Sequence, residues 1–217
     1  MQNKSIKLTQ SQIKALQNGA TMLMFPIDDR RIEKLYCQGF IMGILYFSTN
    51  KADKPLELLN NIKQSVAISP PLITKDKDVF VKEEFRLYTE TQIDYKADTP
   101  NINLSWEESS RMTKEQSRFS LDCIDVRVVS VQDIDICDAE DLGISTDGAI
   151  SRDDLNESQK TNSNPYHLPM YAECPFEPID DRISLFYNQQ MQEQNINRTY
   201  KDNDYVFLVE VKVNKCR

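Results

Sequence analysis

The segment from Arg118 to Val131 restricts the fold more than any other, since it is the longest stretch with strand character. Its apolar residues occupy alternate positions, as on one face of a strand, and then change phase after Cys123. The two sets are Phe119, Leu121 and Cys123, followed by Ile124, Val126 and Val128. A change of phase within one strand predicts a β-bulge at Cys123–Ile124, which bends a strand around a barrel.

A second long strand is predicted in "DYVFLVEVKV", from Asp204 to Val213. We expect it to pair with the 118–131 segment and to close a small barrel. Helices flank these strands. Thr9 and Gln12 form a capping-box pattern at the start of the first helix, and Gly19 stands where a C-terminal glycine belongs. The sequence therefore predicts an α+β fold built on a small pseudo-β-barrel.

The remaining elements alternate between strand and helix patterns. Strands are predicted in "TMLMF" (21–25), "GFIMGILYF" (39–47), "DVFVKEEFRLY" (78–88) and its hairpin partner "QIDYKAD" (92–98). Helices are predicted in 52–68, 135–143 and 180–191. Residues 145–180 are polar, contain prolines and show little periodicity, which predicts a long loop.

The net charge of −8 comes from one segment. Residues 132–157 hold nine acidic residues and a single base, Arg152, whereas acids and bases balance elsewhere. Tight binding to long duplex nucleic acid depends on many phosphate contacts, and this charge distribution argues against it. Recognition of one base, a nucleoside or a short strand stays open.

Cysteine and histidine usage argues against structural metals and disulfides. The five cysteines are scattered without CxxC pairs, and His167 is the only histidine. We therefore expect no metal and no cofactor. No apolar run approaches the roughly 20 residues needed to cross a bilayer, and the start of the chain lacks a signal-peptide core. These features predict a cytoplasmic protein with no membrane partner.

Several short motifs, taken in order, resemble the phage-encoded ASCH-type proteins of the PUA-like superfamily. They are "IKALQNG" (13–19), "VFVKEEF" (79–85), "YKAD" (95–98), "WEESSRMTKEQSR" (106–118), "VRVVSVQDI" (126–134), "DAEDLGI" (138–144), "LFYN" (185–188) and "NDYVFLVEVKV" (203–213). The resemblance covers residues 1–25, 78–144 and 183–213. It implies a single domain over residues 1–217, with insertions at about 26–77 and 145–182.

The resemblance implies a cleft that takes up RNA, a nucleotide or a nucleoside. One branch of the family hydrolyses acetylcytidine with a Lys, a Thr and a Glu. In this chain Thr21 stands at the Lys position and Met24 at the Thr position, while Glu83 stands at the Glu position. Neither Thr nor Met replaces a desolvated lysine as a base, so we expect no acetylcytidine hydrolysis and lean towards a protein that is not an enzyme.

Candidate binding residues lie around the only tryptophan, Trp106. They are Lys82, Glu83, Trp106, Ser109, Arg111, Ser117 and Arg118. Steps of three from Trp106 predict a tight turn that presents an aromatic ring and a guanidinium along one side of a cleft. Each residue also has a structural interpretation. Trp106 would plug the barrel, Arg118 would pair with an acid such as Glu83, and the serines would cap turns.

Three functions follow. The first is a PUA-like binding module that recognises RNA, a nucleotide or a nucleoside weakly. The second is a phage protein-interaction factor that acts on a host protein through its acidic insertion. The third is an acetylcytidine amidohydrolase-like enzyme, which the missing lysine disfavours.

Overall fold

A mixed five-stranded sheet forms the centre of the fold. The structure is a computed structural model and describes residues 4–27, 36–41, 44–48, 66–89, 92–99, 104–150, 177–202 and 205–216. The strands of this sheet are β1 (Ser5–Lys7), β2 (Met22–Pro26), β6 (Val79–Lys82), β9 (Phe119–Ser130) and β12 (Tyr205–Lys215). They lie in the order β1-β6-β9-β12-β2, and only β1 and β6 run parallel.

The other elements surround this sheet. The helices are α1 (Gln10–Gln17), α2 (Ile136–Asp141) and α3 (Ile179–Glu193). The strands β3 (Tyr36–Ile41), β4 (Ile44–Ser48) and β5 (Val66–Ile68) form an antiparallel sheet, and β7 (Phe85–Leu87) pairs with β8 (Ile93–Tyr95). A short parallel pair joins β10 (Ala149–Ile150) to β11 (Glu177–Pro178).

The predicted bulge is confirmed in β9. Strand β9 pairs along its length with β12, and the register shifts between Glu210 and Val211, which oppose Asp125 and Cys123. Ile124 is the extra residue, and its side chain is 49% exposed. The expectation that Ile124 shares a face with Val126 and Val128 is therefore wrong, because the bulged residue turns outwards while Cys123 before the bulge and Val126 after it face the same core.

Two hydrophobic cores cover the two faces of the sheet. One contains Phe119, Leu121, Cys123 and Val126 of β9 with Phe207, Val209 and Val211 of β12. The other contains Met22, Met24, Val206 and Leu208 together with Ile179, Ile183 and Tyr187 of α3. The pairing of the two long strands predicts seven mostly buried side chains: Phe119, Leu121, Val126, Val128, Val206, Leu208 and Val209. Six of them are buried, and Val128 is half-buried against the first core.

The ends of α1 follow the predicted local signals, and α2 ends in signals of the same kind. Thr9 and Gln12 form the reciprocal capping box of α1, and Gly19 adopts a positive φ of 99° just beyond its end. Asp135 caps α2 by accepting the backbone N–H of Asp138, and Gly143 follows that helix with a φ of 76°. These signals are local, so the sequence alone predicts them well.

Four predicted elements differ from the structure. The predicted 78–88 strand is divided into β6, which belongs to the central sheet, and β7, which pairs with β8. The apolar run 39–47 holds parts of two antiparallel strands, β3 and β4, because an uninterrupted apolar run does not reveal a reversal of direction. Residues 66–68 form strand β5 instead of the end of a helix, and the rest of the predicted 52–68 helix lies outside the described residues. In the predicted 145–180 loop, 149–150 and 177–178 are strands, and 151–176 are outside the described part.

The α+β class is confirmed. In the described part of the chain the central sheet stays open, with β1 and β2 at its edges, so the barrel remains a prediction. None of the helices described here has the length and apolar character needed to span a membrane.

Candidate functional site

A cleft of about 650 Å³ opens beside the first turn of α1. Its walls come from parts of the chain that are far apart in sequence. They are the end of β1, the start of α1, Phe25 of β2, Glu83 and Glu84 after β6, Lys96 and Ala97 after β8, and the last turn of α3. The volume lies in the range of small-molecule sites.

The capping box of α1 positions one wall of the cleft. The Gln12 side chain accepts the Thr9 backbone N–H at 2.9 Å and donates from Nε2 to the Met24 carbonyl oxygen at 2.7 Å. The second bond ties α1 to β2, next to Phe25. The ring of Phe25 is half-buried and lines the cleft together with the buried side chains of Leu8 and Ile13. The cleft therefore has an apolar side.

Glu83 is the most buried charged group of the cleft, with only 3% of the residue exposed. Arg118 donates to both of its oxygens at 2.8 Å, from Nε to Oε1 and from Nη2 to Oε2. Burial raises the pKa of the Glu83 carboxyl above its usual value, and the two bonds from Arg118 act against this rise. Such a fork combines charge neutralisation with a fixed orientation of both groups.

Arg118 is itself held by a second layer of contacts. Its Nη1 donates to Asp98 Oδ2 at 2.6 Å, and its guanidinium lies 4.3 Å from the centre of the Tyr95 ring. Asp98 also accepts from Gln17 Nε2 at 2.6 Å. The network thereby links α1, the turn after β8 and the start of β9 behind the cleft wall.

The remaining charged groups of the cleft differ in whether they are paired. Lys96 forms an ion pair with Glu84 at 2.6 Å. Glu193 of α3 accepts both the backbone N–H and the hydroxyl of Ser11, at 3.1 and 3.0 Å. Lys7 forms no ion pair with any residue that the structure describes. With respect to the part of the chain that the structure describes, Lys7 is thus the unpaired lysine of the cleft.

The structure brings only Glu83 of the predicted binding residues to the cleft. Arg118 stands behind Glu83, so the pairing interpretation of Arg118 is the one that the geometry supports. Ser117 is buried. Its hydroxyl oxygen lies 2.8 Å from the carbonyl oxygens of both Val81 and Phe119, and either can accept its hydrogen bond. Lys82 donates to the Ser110 carbonyl oxygen at 3.1 Å.

The Trp106 region forms a separate feature of the surface. A short turn of 3₁₀ helix spans Ser109–Arg111, as the three-residue spacing predicts, with Ser109 buried and Arg111 exposed. The Trp106 side chain is half-buried, and its Nε1 is buried without an acceptor among the described residues. Neither Trp106 nor Arg111 lines the cleft, and their role in binding stays a prediction.

Sequence reasoning missed most of the residues that line the cleft. Lys96 lies inside the "YKAD" motif and next to Asp98, so a signal for it was present. Lys7, Phe25 and Glu193 carry no local signal, because only the folded chain brings them together. Thr21 and Met24 do not line the cleft. Met24 is fully buried, and the Thr21 hydroxyl donates to Asp141 at 3.2 Å.

Within the described ranges, no group of three or more His, Cys, Asp or Glu side chains is arranged to hold a metal ion. No family model, curated protein or solved structure matches the chain. The chemistry of the cleft is therefore argued from its own residues.

Proposed function

We propose that the protein is a PUA-like binding module that takes up RNA, a nucleotide or a nucleoside in the cleft beside α1. The observation that carries this proposal is the pairing of an aromatic ring, Phe25, with a buried and rigidly held carboxylate, Glu83, in a cleft of about 650 Å³. A base is a flat ring with hydrogen-bonding edges, and it needs a stacking surface and polar partners.

The order of the elements supports the same proposal. Helix α1, the Gly19 turn, the long strand β9 and the closing strand β12 follow one another as the resemblance to ASCH-type proteins implies. Under this proposal the chain is phage- or prophage-encoded and acts in the cytoplasm of the host cell. Binding is weak and only mildly salt-dependent, because the cleft offers few unpaired cations.

Calorimetric titration with nucleosides, their 5′-monophosphates and short RNA tests the proposal. Phe25→Leu keeps an apolar side chain but removes the stacking ring, so it should weaken binding by about 1–3 kcal/mol per stacked base. Tyr88→Leu is the matched control, because Tyr88 is an exposed ring outside the cleft. Equal affinity of the parent and the Phe25→Leu variant for a bound ligand would exclude this cleft as the site.

The single tryptophan provides a second arm of the same experiment. Trp106 does not line the cleft, so a ligand in the cleft should leave its environment, and hence its emission, largely unchanged. Strong quenching that is accompanied by loss of affinity in Arg111→Ala would instead place the ligand on the 105–118 surface. That outcome would retain nucleoside binding but move it to the residues that the sequence favours.

A second candidate function is a protein-interaction factor that binds a host protein through the acidic segment. The observation in its favour is that the described acids of residues 132–150 are mostly exposed. These are Asp133, Asp135, Glu140, Asp141 and Asp147. Replacing them with Asn and Gln should abolish a salt-sensitive complex with such a partner, whereas Phe25→Leu should leave that complex intact.

A further inference from the structure

The chemistry that Glu83 offers to a ligand is narrow. An ionised carboxylate only accepts hydrogen bonds, and each oxygen has about two acceptor sites. Arg118 fills one site on each oxygen. Glu83 lines the cleft with the 2% of its side chain that stays exposed, so what it can offer a ligand there is an acceptor for an N–H or O–H donor. A ligand that presents only lone pairs to Glu83 would bury an acceptor against an acceptor, which costs free energy.

The charges of the cleft disfavour an anionic ligand. Among the described residues that line the cleft, three carboxylates face two cations. The carboxylates are Glu83, Glu84 and Glu193, and the cations are Lys7 and Lys96. Lys96 is already paired with Glu84, and Arg118 neutralises Glu83 from behind the wall. Of the described cations a phosphate would meet Lys7 unpaired, with the Glu193 carboxylate in the same cleft.

The hydrogen-bond donors of Ser11, in the first turn of α1, are already bonded to a carboxylate of the protein itself. The N-terminal N–H groups of a helix attract anions. In this protein the Ser11 N–H and hydroxyl both donate to Glu193, so a carboxylate of the chain itself fills the place that a ligand phosphate could take. Gln189 donates to the other oxygen of Glu193 at 3.1 Å and steadies it from within α3.

We infer that the cleft selects an uncharged nucleoside or free base whose edge carries an N–H donor for Glu83, and that it discriminates against the corresponding nucleotide. This inference rests on the proposed function and narrows it from three ligand classes to one. Glu83 is the specificity-determining residue, Arg118 is the residue that positions it, and Glu193 keeps phosphate out.

Titration of the parent protein with matched ligands tests the donor requirement without any risk of unfolding. Adenosine is compared with purine riboside, and cytidine with its analogue that lacks the 4-amino group. Each analogue keeps the ring and sugar but has no N–H donor on the base. We expect the analogues to bind about tenfold more weakly or worse, as for one lost hydrogen bond to a charged group.

The discrimination against phosphate is tested with nucleosides and their 5′-monophosphates at low salt. The monophosphate should bind no more tightly than the nucleoside to the parent protein. Glu193→Gln removes the competing charge, so it should improve the affinity for the monophosphate several-fold more than the affinity for the nucleoside. Glu210→Gln is the matched control, because Glu210 is exposed and does not line the cleft.

The outcomes separate this inference from the proposed function. If nucleosides bind but the donor-free analogues bind equally well, or if the monophosphate binds more tightly to the parent, the inference is overturned and the binding module stands. If no nucleoside, nucleotide or short RNA binds, the proposed function fails and the inference fails with it.

Discussion

Strand β9 carries two arginine–carboxylate pairs that differ in almost every physical respect. At its start Arg118 forms a fork with Glu83, and the side chains are 12% and 2% exposed. Near its other end Arg127 pairs with Asp138 of α2, and the side chains are 43% and 9% exposed. Arg118 also bonds Asp98 and stacks on Tyr95, whereas Arg127 makes one ion-pair contact with the described residues, through Nη2.

The difference shows that the contribution of an ion pair to stability depends on how far its surroundings exclude water. Loss of one partner from a buried pair leaves an uncompensated charge away from water, which costs about 3–5 kcal/mol. Asp138 of the second pair is also nearly buried, but Arg127 is half-exposed, so water can take the place of the guanidinium and the pair should contribute less, about 1 kcal/mol. The first pair therefore restrains the cleft, and the second merely joins α2 to the sheet.

The largest effect is expected for Arg118→Met. The variant leaves Glu83 buried and unpaired, so the free energy of unfolding should fall by about 3–5 kcal/mol in a denaturant titration. The double variant with Glu83→Met should recover part of that loss, because the orphaned charge is then absent. A loss below about 1 kcal/mol in the single variant would mean that the two pairs are equivalent after all.

Arg118→Lys should have an intermediate effect. Lysine keeps the charge but cannot form the fork to both oxygens of Glu83, and it stacks less well on Tyr95. We expect a loss of about 1–3 kcal/mol, since one charge-assisted hydrogen bond disappears. The same change at Arg127 should cost less than 1 kcal/mol, because a single contact does not depend on fork geometry. Equal losses at both sites would contradict the role given to the fork.

The pH dependence sharpens the comparison further. Burial raises the pKa of Glu83 and Arg118 opposes this, so the rise should be larger in Arg118→Met. A folded-state pKa above the unfolded value favours folding below the unfolded pKa, and this contribution is lost as pH rises through the folded pKa. The destabilisation by Arg118→Met should therefore be smaller at pH 4.5 than at pH 7. A constant difference across this range would show that Glu83 does not become neutral.

The smallest effect is expected for Arg127→Met. The free energy of unfolding should change by no more than about 1 kcal/mol at low salt, and the difference should shrink further at 1 M salt because exposed charges are screened. The effect of Arg118→Met should change much less with salt. A loss above 2 kcal/mol at Arg127 would show that its pair is as critical as the one at the cleft.

The fold was predictable wherever the signal was local. The capping box at Thr9 and Gln12, the glycines that end α1 and α2, and the phase change that marks the bulge at Ile124 each lie within a few residues. The reversal between β3 and β4 was missed, because the apolar pattern of 39–47 is the same for one buried strand as for parts of two.

The candidate site was predictable only in part. Glu83 was singled out through the family resemblance, and its pairing with Arg118 was one of two interpretations that the sequence left open; the structure has the pair. The weight given to Trp106 did not predict the cleft, because a lone tryptophan is a conspicuous residue whether it binds or packs. Lys7, Phe25 and Glu193 meet only through the crossing of β1, β2 and α3, and that long-range arrangement leaves no trace in a single sequence.

The position of β12 in the sheet has a consequence for how the chain is made on the ribosome. Strand β12 lies between β2 and β9, yet it follows β2 by roughly 180 residues. At about 5–20 residues per second, β2 emerges many seconds before its hydrogen-bonding partner exists. During this time Met22, Leu23 and Met24, which are buried in the finished sheet, have no strand to cover them. The nascent protein therefore exposes an aggregation-prone edge until synthesis reaches β12, a natural target for chaperones.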